Sequence, residues 1–385
     1  MKIAVLHRYP PSQVIATNAS FLEFLRVLAK KENSIYYITY KDKKERVQIE
    51  NLSYKDLPFY FDRGNNKDKL IKTILWTFMV PFYVFLLNTK YKFDLVYCDD
   101  SVPYYGFLTK LLNPFTKVVI RLGDLQTGYF LADNHHTLFR FSLLLEKFMW
   151  NTVDGLVAIS ESFRRFLIKE GVENNKICVV EESINLDGFD QNGRAQSTSG
   201  KTILFHGALL KCKGLEVLIE AYKLLFEKDK TFKLIIAGGG EVEESVKKLA
   251  SSLKLPVEFT GWYDHQKLVE IMRKSDVSVV MRSPNMANNF VVTTCLLENW
   301  KYKKPVVAPD LEAFRSIVTD GINGVLFRVG DSKDLAEKLE VLFLNRDKWD
   351  FLAEEGFKTA HKYFDHKLIA LKMSKVLLDY TKGGK

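Results

Sequence analysis

The stretch of sequence that decides the fold is residues 202–237, TILFHGALLKCKGLEVLIEAYKLLFEKDKTFKLIIA. It contains an apolar run at residues 202–206, a glycine-bearing turn, a segment at residues 215–227 with apolar residues three and four apart, and a second apolar run at residues 233–237. Short apolar runs are typical of buried strands, and the 3.6-residue period is typical of a helix. The stretch therefore predicts strand, loop, helix and strand, the repeating unit of a parallel α/β sheet.

The same alternation continues towards both ends of the chain. Strand-like runs on the N-terminal side lie at residues 3–6, 34–39, 94–97, 117–121, 155–159 and 177–180, and further runs on the C-terminal side lie at residues 257–260, 277–281 and 305–308. Residues 187–200, DGFDQNGRAQSTSG, have no apolar period and predict a linker. We therefore predict an α/β chain with one domain over residues 1–188 and a second over residues 189–365.

The composition agrees with two soluble-type domains. The chain has 385 residues, of which 47% are hydrophobic and 27% are charged. Lys and Arg outnumber Asp and Glu by 56 to 47, a net charge of +9. Such a surplus suits an anionic partner, which could be a membrane surface, a nucleic acid or a phosphate-bearing substrate. The alternative is an ordinary basic surface without such a partner. We expect no nucleic acid partner, because no interleaved basic and aromatic module stands in the sequence.

The cysteines and the first residues indicate a reducing compartment. Cys98, Cys178, Cys212 and Cys295 are far apart and form no CxxC pair, so neither a disulfide framework nor a zinc site is predicted. The opening MKIAVLHRYPP is too short in apolar residues for a secretory signal. These features predict a cytoplasmic location.

One apolar segment stands out at residues 73–87, TILWTFMVPFYVFLL. It is shorter than the roughly 20 residues that span a membrane, and Pro81 is expected to interrupt it. Lys72, Lys90 and Lys92 flank it, and basic residues beside an aromatic helix suit anionic lipid headgroups. The segment is therefore either a helix packed on the sheet or a helix that attaches the chain to the inner face of a membrane.

Several segments in their order resemble the GT-B glycosyltransferases, in particular the family-4-like group (glycosyl transferases group 1). They include LLLEKFMWNTVDGLVAISESFRRFL at residues 143–167, ILFHGALLKCKGLEVLIEAYKLL at residues 203–225, KLIIAGGGE at residues 233–241 and LLENWKYKKPVVAPDLEAFRSIVTDGINGVLF at residues 296–327. The resemblance implies two Rossmann-like domains that face a central cleft. It also implies that a C-terminal helix, at about residues 366–385, crosses back onto the first domain.

The resemblance further implies an activity. A hexose-type sugar would pass from a UDP- or GDP-linked donor to a lipid-linked or saccharide acceptor in cell-envelope polysaccharide synthesis, such as capsule or lipopolysaccharide assembly. Neither a cofactor nor a metal is expected, and a retaining reaction is favoured over an inverting one.

A donor site is predicted in the second domain around Lys213. A lysine ammonium in the loop after the strand at residues 202–206 can neutralise charge on a leaving diphosphate, with Gly207 in the same loop. The family usually has an Arg before this Lys, and its place is taken here by Ala208, for which Lys211 is a candidate substitute. Gly239, in the AGGGE segment, resembles the family's nucleotide-base loop. A solvated loop lysine is the alternative for Lys213.

The second part of the donor site is predicted on the segment TTCLLENW. Glu298 is the candidate for the two ribose hydroxyls, since a carboxylate can accept both hydrogen bonds. Thr293 and Thr294 would meet the diphosphate at the start of that helix, or serve as ordinary N-cap residues. The family's carboxylate pair has a second Glu, and Phe290 stands at its place.

The acceptor side is predicted in the first domain. The segment that runs from Arg121 to Asp124 closes a strand, and Asp124 could orient or deprotonate an acceptor hydroxyl, or could cap a turn. Ser12 and Gln13 lie in the loop after the first strand and are further candidates.

A rival hypothesis is a GT-B protein with little or no catalytic activity that acts as a binding partner. It is favoured by Phe290, by Ala208 and by Glu312-Ala313, which stand where the family usually has glutamate, arginine and a pair of glycines. Stabilisation by a nucleoside diphosphate would separate the two hypotheses.

Overall fold

A computed structural model describes residues 1–8, 19–30, 33–41, 46–60, 66–99, 104–128, 130, 135–187 and 200–381. The chain divides into two compact units. The first unit comprises Met1–Glu181 together with the segment that begins at His366, and the second comprises Glu182–Asp365. Most of the predicted linker, together with Ser12 and Gln13, lies outside the described residues.

The first unit is a parallel sheet covered by helices. Its strands are β1 (Lys2–Leu6), β2 (Ser34–Lys41), β3 (Leu52–Tyr60), β4 (Leu95–Cys98), β5 (Lys117–Leu122), β6 (Gly155–Ala158) and β7 (Ile177–Val179), in the order β3-β2-β1-β4-β5-β6-β7. Its helices are α1 (Ala19–Ala29), α2 (Asn66–Tyr91), α3 (Tyr104–Leu112), α4 (His136–Thr152) and α5 (Glu161–Lys169).

The second unit repeats this architecture. Its strands are β8 (Lys201–His206), β9 (Phe232–Ala237), β10 (Val257–Gly261), β11 (Val277–Val279), β12 (Val306–Pro309) and β13 (Val325–Phe327), in the order β10-β9-β8-β11-β12-β13. Its helices are α6 (Leu215–Lys228), α7 (Glu243–Ser252), α8 (His265–Lys274), α9 (Thr294–Lys301), α10 (Glu312–Arg315), α11 (Ser332–Leu344) and α12 (Asp347–Tyr363).

The strand order positions the sites. Chain order reverses between β1 and β4 in the first unit and between β8 and β11 in the second. In open α/β sheets, ligands bind outside the carboxyl ends of the strands at such a reversal. The loops that follow β8 and β11 are therefore where a ligand of the second unit is expected.

The last helix, α13 (His366–Thr381), belongs to the first unit. Its Ile369, Met373 and Leu377 join the core that contains Phe24 and Leu25 of α1. Near its end, the hydroxyl of Tyr380 donates a hydrogen bond to the carbonyl of Lys176 at 2.7 Å. The Tyr380 ring occupies the space beside Gly155, where a Cβ atom would lie 2.3 Å from it.

The structure corrects the prediction that Pro81 interrupts an apolar helix. Helix α2 has 26 residues and continues through Pro81. A proline inside a helix costs about 3 kcal/mol. Trp76, Val80 and Val84 are fully buried on the same helix, and their burial outweighs that cost. With 26 residues, the helix is longer than the roughly 20 residues needed to span a membrane, whereas the apolar segment at residues 73–87 is shorter.

Candidate functional site

The glycine segment after β9 supports the loop after β8. A Cβ atom at Gly238 would lie 1.9 Å from the carbonyl oxygen of Gly207, and φ is +135° at Gly238 and +123° at Gly207. Both positions therefore require glycine. The backbone N–H of Leu209 donates to the carbonyl of Gly239 at 3.0 Å. Gly239 is buried, and its carbonyl holds the loop after β8 in place through this hydrogen bond.

Lys213 is brought into the interior at the end of that loop. Residues Lys211–Lys213 form a short 3-10 turn, and Gly214 follows with φ of +63°. The turn exposes the side chain of Lys211 and buries Lys213, which is only 8% exposed. The two lysines therefore differ in their surroundings although they are two residues apart.

Arg282, which the sequence analysis did not single out, lies beside Lys213. It follows β11 and is 9% exposed. Its Nη1 donates to Oδ1 of Asn288 at 3.1 Å. Asn288 in turn donates to the carbonyl of Cys212 at 3.0 Å, and the N–H of Ser283 donates to the same carbonyl at 2.9 Å. These bonds fix the loop after β11 against the loop after β8.

The two cations have no anionic partner in the described part of the chain. Burial, followed by the charge of Arg282, lowers the pKa of Lys213 to about 8. No carboxylate of the described residues lies within ion-pair distance of either side chain, and the buried Nε of Arg282 has no hydrogen-bond partner there. A buried charge without a partner is costly, so this arrangement favours binding of an anion.

Helix α9 begins at the same place. Thr293 caps it in an extended conformation, and its buried hydroxyl has no hydrogen-bond partner among the residues that the structure describes. Thr294 is the first helical residue, and Cys295 adjoins the loop after β8, since a Cβ atom at Gly207 would lie 2.9 Å from its sulfur. The N–H groups at the start of a helix favour negative charge.

Glu298 lies about one helical turn further along α9. Its Oε2 is 3.7 Å from Nδ1 of His206. Burial raises the pKa of the Glu298 carboxyl to about 7, although nearby Lys301 acts in the opposite direction. Burial also lowers the pKa of His206 to about 4, so His206 is neutral at pH 7 and the pair is not an ion pair. The charge of Lys213 contributes to that shift at His206, which places Lys213 and Glu298 around the same histidine.

His206, Cys295 and Glu298 could hold a metal ion by geometry, because their ligand atoms lie within 4.8 Å of one another. Both ring nitrogens of His206 are already engaged, however. Nε2 donates to Oδ1 of Asn299 at 3.0 Å, and Nδ1 accepts from the hydroxyl of Tyr263 at 3.1 Å. Burial also raises the pKa of the Cys295 thiol to about 11. Burial thus opposes loss of the proton from the Cys295 thiol and from the Glu298 carboxyl, beside two cations that repel a metal ion.

Two of the departures from the family pattern are buried, whereas Ala208 and Glu312 are half-buried. Phe290 and Ala313 are both buried, so the first fills the place of the family's glutamate with an apolar ring. Ala208 offers no charge in the loop after β8. Arg282 contributes a positive charge from a different loop, the one that follows β11.

In the first unit, Arg121 lies in β5 and Asp124 follows it. Nη1 of Arg121 lies 3.5 Å from Oδ1 of Asp99, which also accepts from the hydroxyl of Tyr97 at 3.0 Å. Asp124 is half-buried and accepts from the backbone N–H of Leu125 at 2.8 Å. Arg121 is thus held by a carboxylate, and Asp124 by its own turn.

Glu146 is a second functional candidate that the sequence analysis missed. It is 1% exposed, and the hydroxyl of Thr127 donates to its Oε2 at 3.3 Å. Burial raises the pKa of this carboxyl to about 7, and the negative charge of Asp124 acts in the same direction. Its signal in the sequence is a single acidic residue within the apolar run LLLEKF.

Two α/β units, each a parallel sheet covered by helices, are the architecture of the GT-B class. Over residues 189–359 the chain matches the family model described as glycosyl transferases group 1. That match covers most of the second unit, and the chain as a whole has the fold of the GT-B glycosyltransferases. The resemblance and the fold class that the sequence suggested are confirmed.

Known proteins similar to the chain include both sequence relatives and solved structures. It is 29% identical to a phosphatidyl-myo-inositol mannosyltransferase of Mycobacterium leprae over 63% of this chain and 65% of that protein. It is 24% identical to the capsular polysaccharide biosynthesis glycosyltransferase CapM of Staphylococcus aureus over 95% of this chain and 94% of that protein. The crystal structure of Anabaena HepE in complex with UDP and glucose matches with a TM-score of 0.72 and 16% identity, over 98% and 99% of the two chains. Some curated relatives are matched over only 57% to 65% of their length.

Proposed function

We propose that the protein transfers a hexose-type sugar from a UDP- or GDP-linked donor to a lipid-linked or saccharide acceptor in cell-envelope polysaccharide synthesis. The observation that carries this proposal is the pair of buried cations, Lys213 and Arg282, for which the described residues provide no carboxylate partner. A nucleoside diphosphate supplies the negative charge that such a pair requires.

The diphosphate is held from two loops and a helix. Lys213 acts as a compact charge, and Arg282 uses its guanidinium group, whose Nε has no partner in the described residues, to contact phosphate oxygens. The N–H groups at the start of α9 and the hydroxyl of Thr293 complete the cradle. In this role Arg282 substitutes for the arginine that the family usually has at the place of Ala208.

Glu298 binds the ribose. Its carboxylate accepts hydrogen bonds from both ribose hydroxyls, and the nearby charge of Lys301 favours its ionised form. Neutral His206, fixed by Asn299 and Tyr263, borders the carboxylate without competing for its charge.

The chemical contribution of the second unit is electrostatic. When the bond between sugar and diphosphate breaks, negative charge grows on the departing phosphate oxygens, and Lys213 and Arg282 are already placed to stabilise it. A retaining reaction uses no side-chain base from the first unit. For an inverting reaction, Asp124 or Glu146 would accept the proton of the acceptor hydroxyl, and Arg121 would bind its neighbouring groups. We favour the retaining reaction.

The reaction is proposed to need neither a cofactor nor a metal. Two side-chain cations take the place that a divalent ion takes in other phosphoryl sites. The raised pKa values of the Cys295 thiol and the Glu298 carboxyl, which oppose loss of their protons, support the same conclusion.

The acceptor class and the location follow from the relatives. The names of the similar proteins refer to a phosphatidyl-inositol lipid and to capsular polysaccharide, and the Anabaena structure contains UDP and glucose. We infer that this chain works in the cytoplasm at the inner face of the cell membrane, where lipid-linked acceptors are exposed.

The rival is a GT-B protein with little or no catalytic activity that acts as a binding partner in such a pathway, as Phe290 at the family's glutamate position suggests. The test is a panel of nucleotide sugars with release of the nucleoside diphosphate measured, for the parent protein and for Lys213→Met, Glu298→Gln and the control Lys211→Met. We expect turnover with one donor in the parent and the control, and at least about a hundredfold loss in the other two. Stabilisation by UDP or GDP without turnover on any donor would favour the rival, and equal turnover in all four proteins would refute the site.

A further inference from the structure

The exposed apolar side chains of the first unit are concentrated on three neighbouring helices. Of the 25 large apolar side chains that are exposed among the described residues, 14 lie on α2, on α4, or at and just after the end of α3. These 14 residues, which we call the apolar face, are Ile71, Ile74, Phe78, Phe82, Phe85, Leu86, Leu111, Leu112, Phe115, Leu138, Phe141, Leu144, Leu145 and Phe148. Contiguous exposed apolar surface of this kind marks an interaction site.

Helix α2 is apolar on two opposite sides. One side packs on the sheet through Trp76, Val80 and Val84, and the Trp76 ring lies 5.0 Å from that of Tyr40. The other side presents Phe78 and Phe82, which are 66% and 57% exposed. A helix that covers a sheet needs only one apolar side. The second side is therefore not explained by the folding of this unit.

Helix α4 has the same character, and α3 joins the two. On α4, Met149 and Trp150 are buried, whereas Leu144 is 65% exposed. The ring of Phe148 lies 5.6 Å from that of Phe107 on α3. At the other side of α3, Asn88 of α2 donates to Oδ1 of Asn113 at 2.9 Å. The three helices thus present one continuous surface.

The exposed charges without a carboxylate partner on and beside these helices, in the part of the chain that the structure describes, are basic. Residues 71–91, 104–112 and 136–152 contain one acidic residue, the buried Glu146. Lys90, Lys92 and Arg140 are exposed and have no carboxylate partner in the part of the chain that the structure describes. Lys110 and Lys147 are paired with Asp154 and Glu170. An exposed apolar surface with an unpaired basic rim is complementary to an anionic lipid surface.

We propose that the apolar face docks into the interfacial layer of an anionic lipid bilayer, with α2 and α4 lying in the plane of the membrane. By length and composition, the segment Ile71–Tyr91 would suffice to cross a bilayer. The buried contacts of Trp76, Val80 and Val84 hold it on the sheet instead, so it lies on the membrane and does not span it. A second copy of the chain is a poorer occupant, since the basic rim would face itself.

The proposal is independent of the donor chemistry, and vesicle flotation without nucleotide tests it. The full chain is mixed with vesicles of phosphatidylcholine, or of phosphatidylcholine with phosphatidylglycerol. Phe78→Ser with Phe82→Ser removes apolar area from the face, and the control pair Val341→Ser with Leu344→Ser removes comparably exposed residues of α11 in the second unit. Lys90→Gln with Lys92→Gln tests the rim.

We expect the parent protein and the control pair to float with the anionic vesicles. The phenylalanine pair should lower the binding constant at least about tenfold on both vesicle types. The lysine pair should lower it by about tenfold on anionic vesicles alone. UDP or GDP binding should be unchanged in every variant, so failure of docking and failure of the donor site are distinguishable.

Three outcomes would overturn the proposal. The first is a parent protein that does not float with anionic vesicles. The second is a phenylalanine pair that floats as well as the control pair. The third is a dimer in lipid-free buffer, measured by sedimentation velocity, that the phenylalanine pair converts to a monomer, because this would assign the face to a second copy.

Discussion

The replacement Lys213→Met separates the folding stability that the buried charge costs from the nucleotide binding that the charge supports. Methionine retains most of the apolar stem and removes the ammonium group. The pKa of Lys213 falls from the usual 10.5 to about 8 because of burial and the charge of Arg282. The folded protein therefore binds this proton less tightly than the unfolded chain, and the charge lowers folding stability by about 3 kcal/mol at pH 7.

The sign of the effect fixes its pH dependence. The cost is fully present below pH 8 and disappears as the pH rises from about 8 towards 10.5, where lysine is neutral in both states. We expect Lys213→Met to raise the melting temperature of the nucleotide-free protein at pH 7 by roughly 5–10 °C. The gain should shrink at pH 10.

The assay is thermal unfolding with and without UDP and GDP, at pH 7 and pH 10. A nucleotide at about 100 times its Kd adds about 2.7 kcal/mol to the parent protein. Lys213→Met should lose most of this addition while its own baseline is higher, and the exposed control Lys211→Met should change neither value. A variant that is no more stable than the parent at pH 7 and keeps the full nucleotide effect would refute the reasoning.

Three further predictions concern the neighbouring groups. Glu298→Gln should stabilise the nucleotide-free protein by about 3 kcal/mol at pH 8 and by little at pH 4. The reason is that the pKa of Glu298 is raised to about 7, so that the carboxyl is protonated in both the folded and the unfolded state at low pH. The turnover of this variant should fall at least about a hundredfold; denaturant unfolding at both pH values measures the first effect, and a turnover assay measures the second. Arg282→Lys should restore part of the nucleotide affinity that Arg282→Met loses, since charge remains but the guanidinium fork does not, and titration calorimetry checks the order of the three proteins. Glu146→Gln should give a similar stability gain at pH 8, because the pKa of Glu146 is also raised to about 7. In a retaining reaction this variant should keep most of the turnover. A loss of turnover above a hundredfold at unchanged KM would show that Glu146 is a base.

The architecture was predictable because its signal is local. Each buried strand is a short apolar run and each covering helix has a 3.6-residue period, so the alternation is written in the sequence. Serine is a preferred N-cap residue, and the hydroxyl of Ser160, just before α5, accepts from the N–H of Phe163 at 3.1 Å. Strand β3, LSYKDLPFY, was missed because an edge strand with Lys55, Asp56 and Pro58 has the composition of a loop.

The site was only partly predictable because its decisive contacts are distant in sequence. Lys213 and Glu298 were found because they match family motifs, whereas Arg282 lies in a loop without a motif. The fold places Arg282 beside Lys213 because Asn288 and Ser283 donate hydrogen bonds to the carbonyl of Cys212. The outward side of α4 was missed for another reason, since a helical period does not tell which of two apolar sides faces the core.

The most direct test of the central claim is the affinity for UDP or GDP compared with that for uridine or guanosine, measured by titration calorimetry. Two buried cations that bind the diphosphate predict at least about a hundredfold tighter binding of the nucleoside diphosphate, since each charge-assisted hydrogen bond contributes about 1.5–3 kcal/mol. The advantage should vanish when Lys213→Met and Arg282→Met are combined. Equal affinities for nucleoside and nucleoside diphosphate in the parent protein, or an advantage that survives in the double variant, would contradict the account.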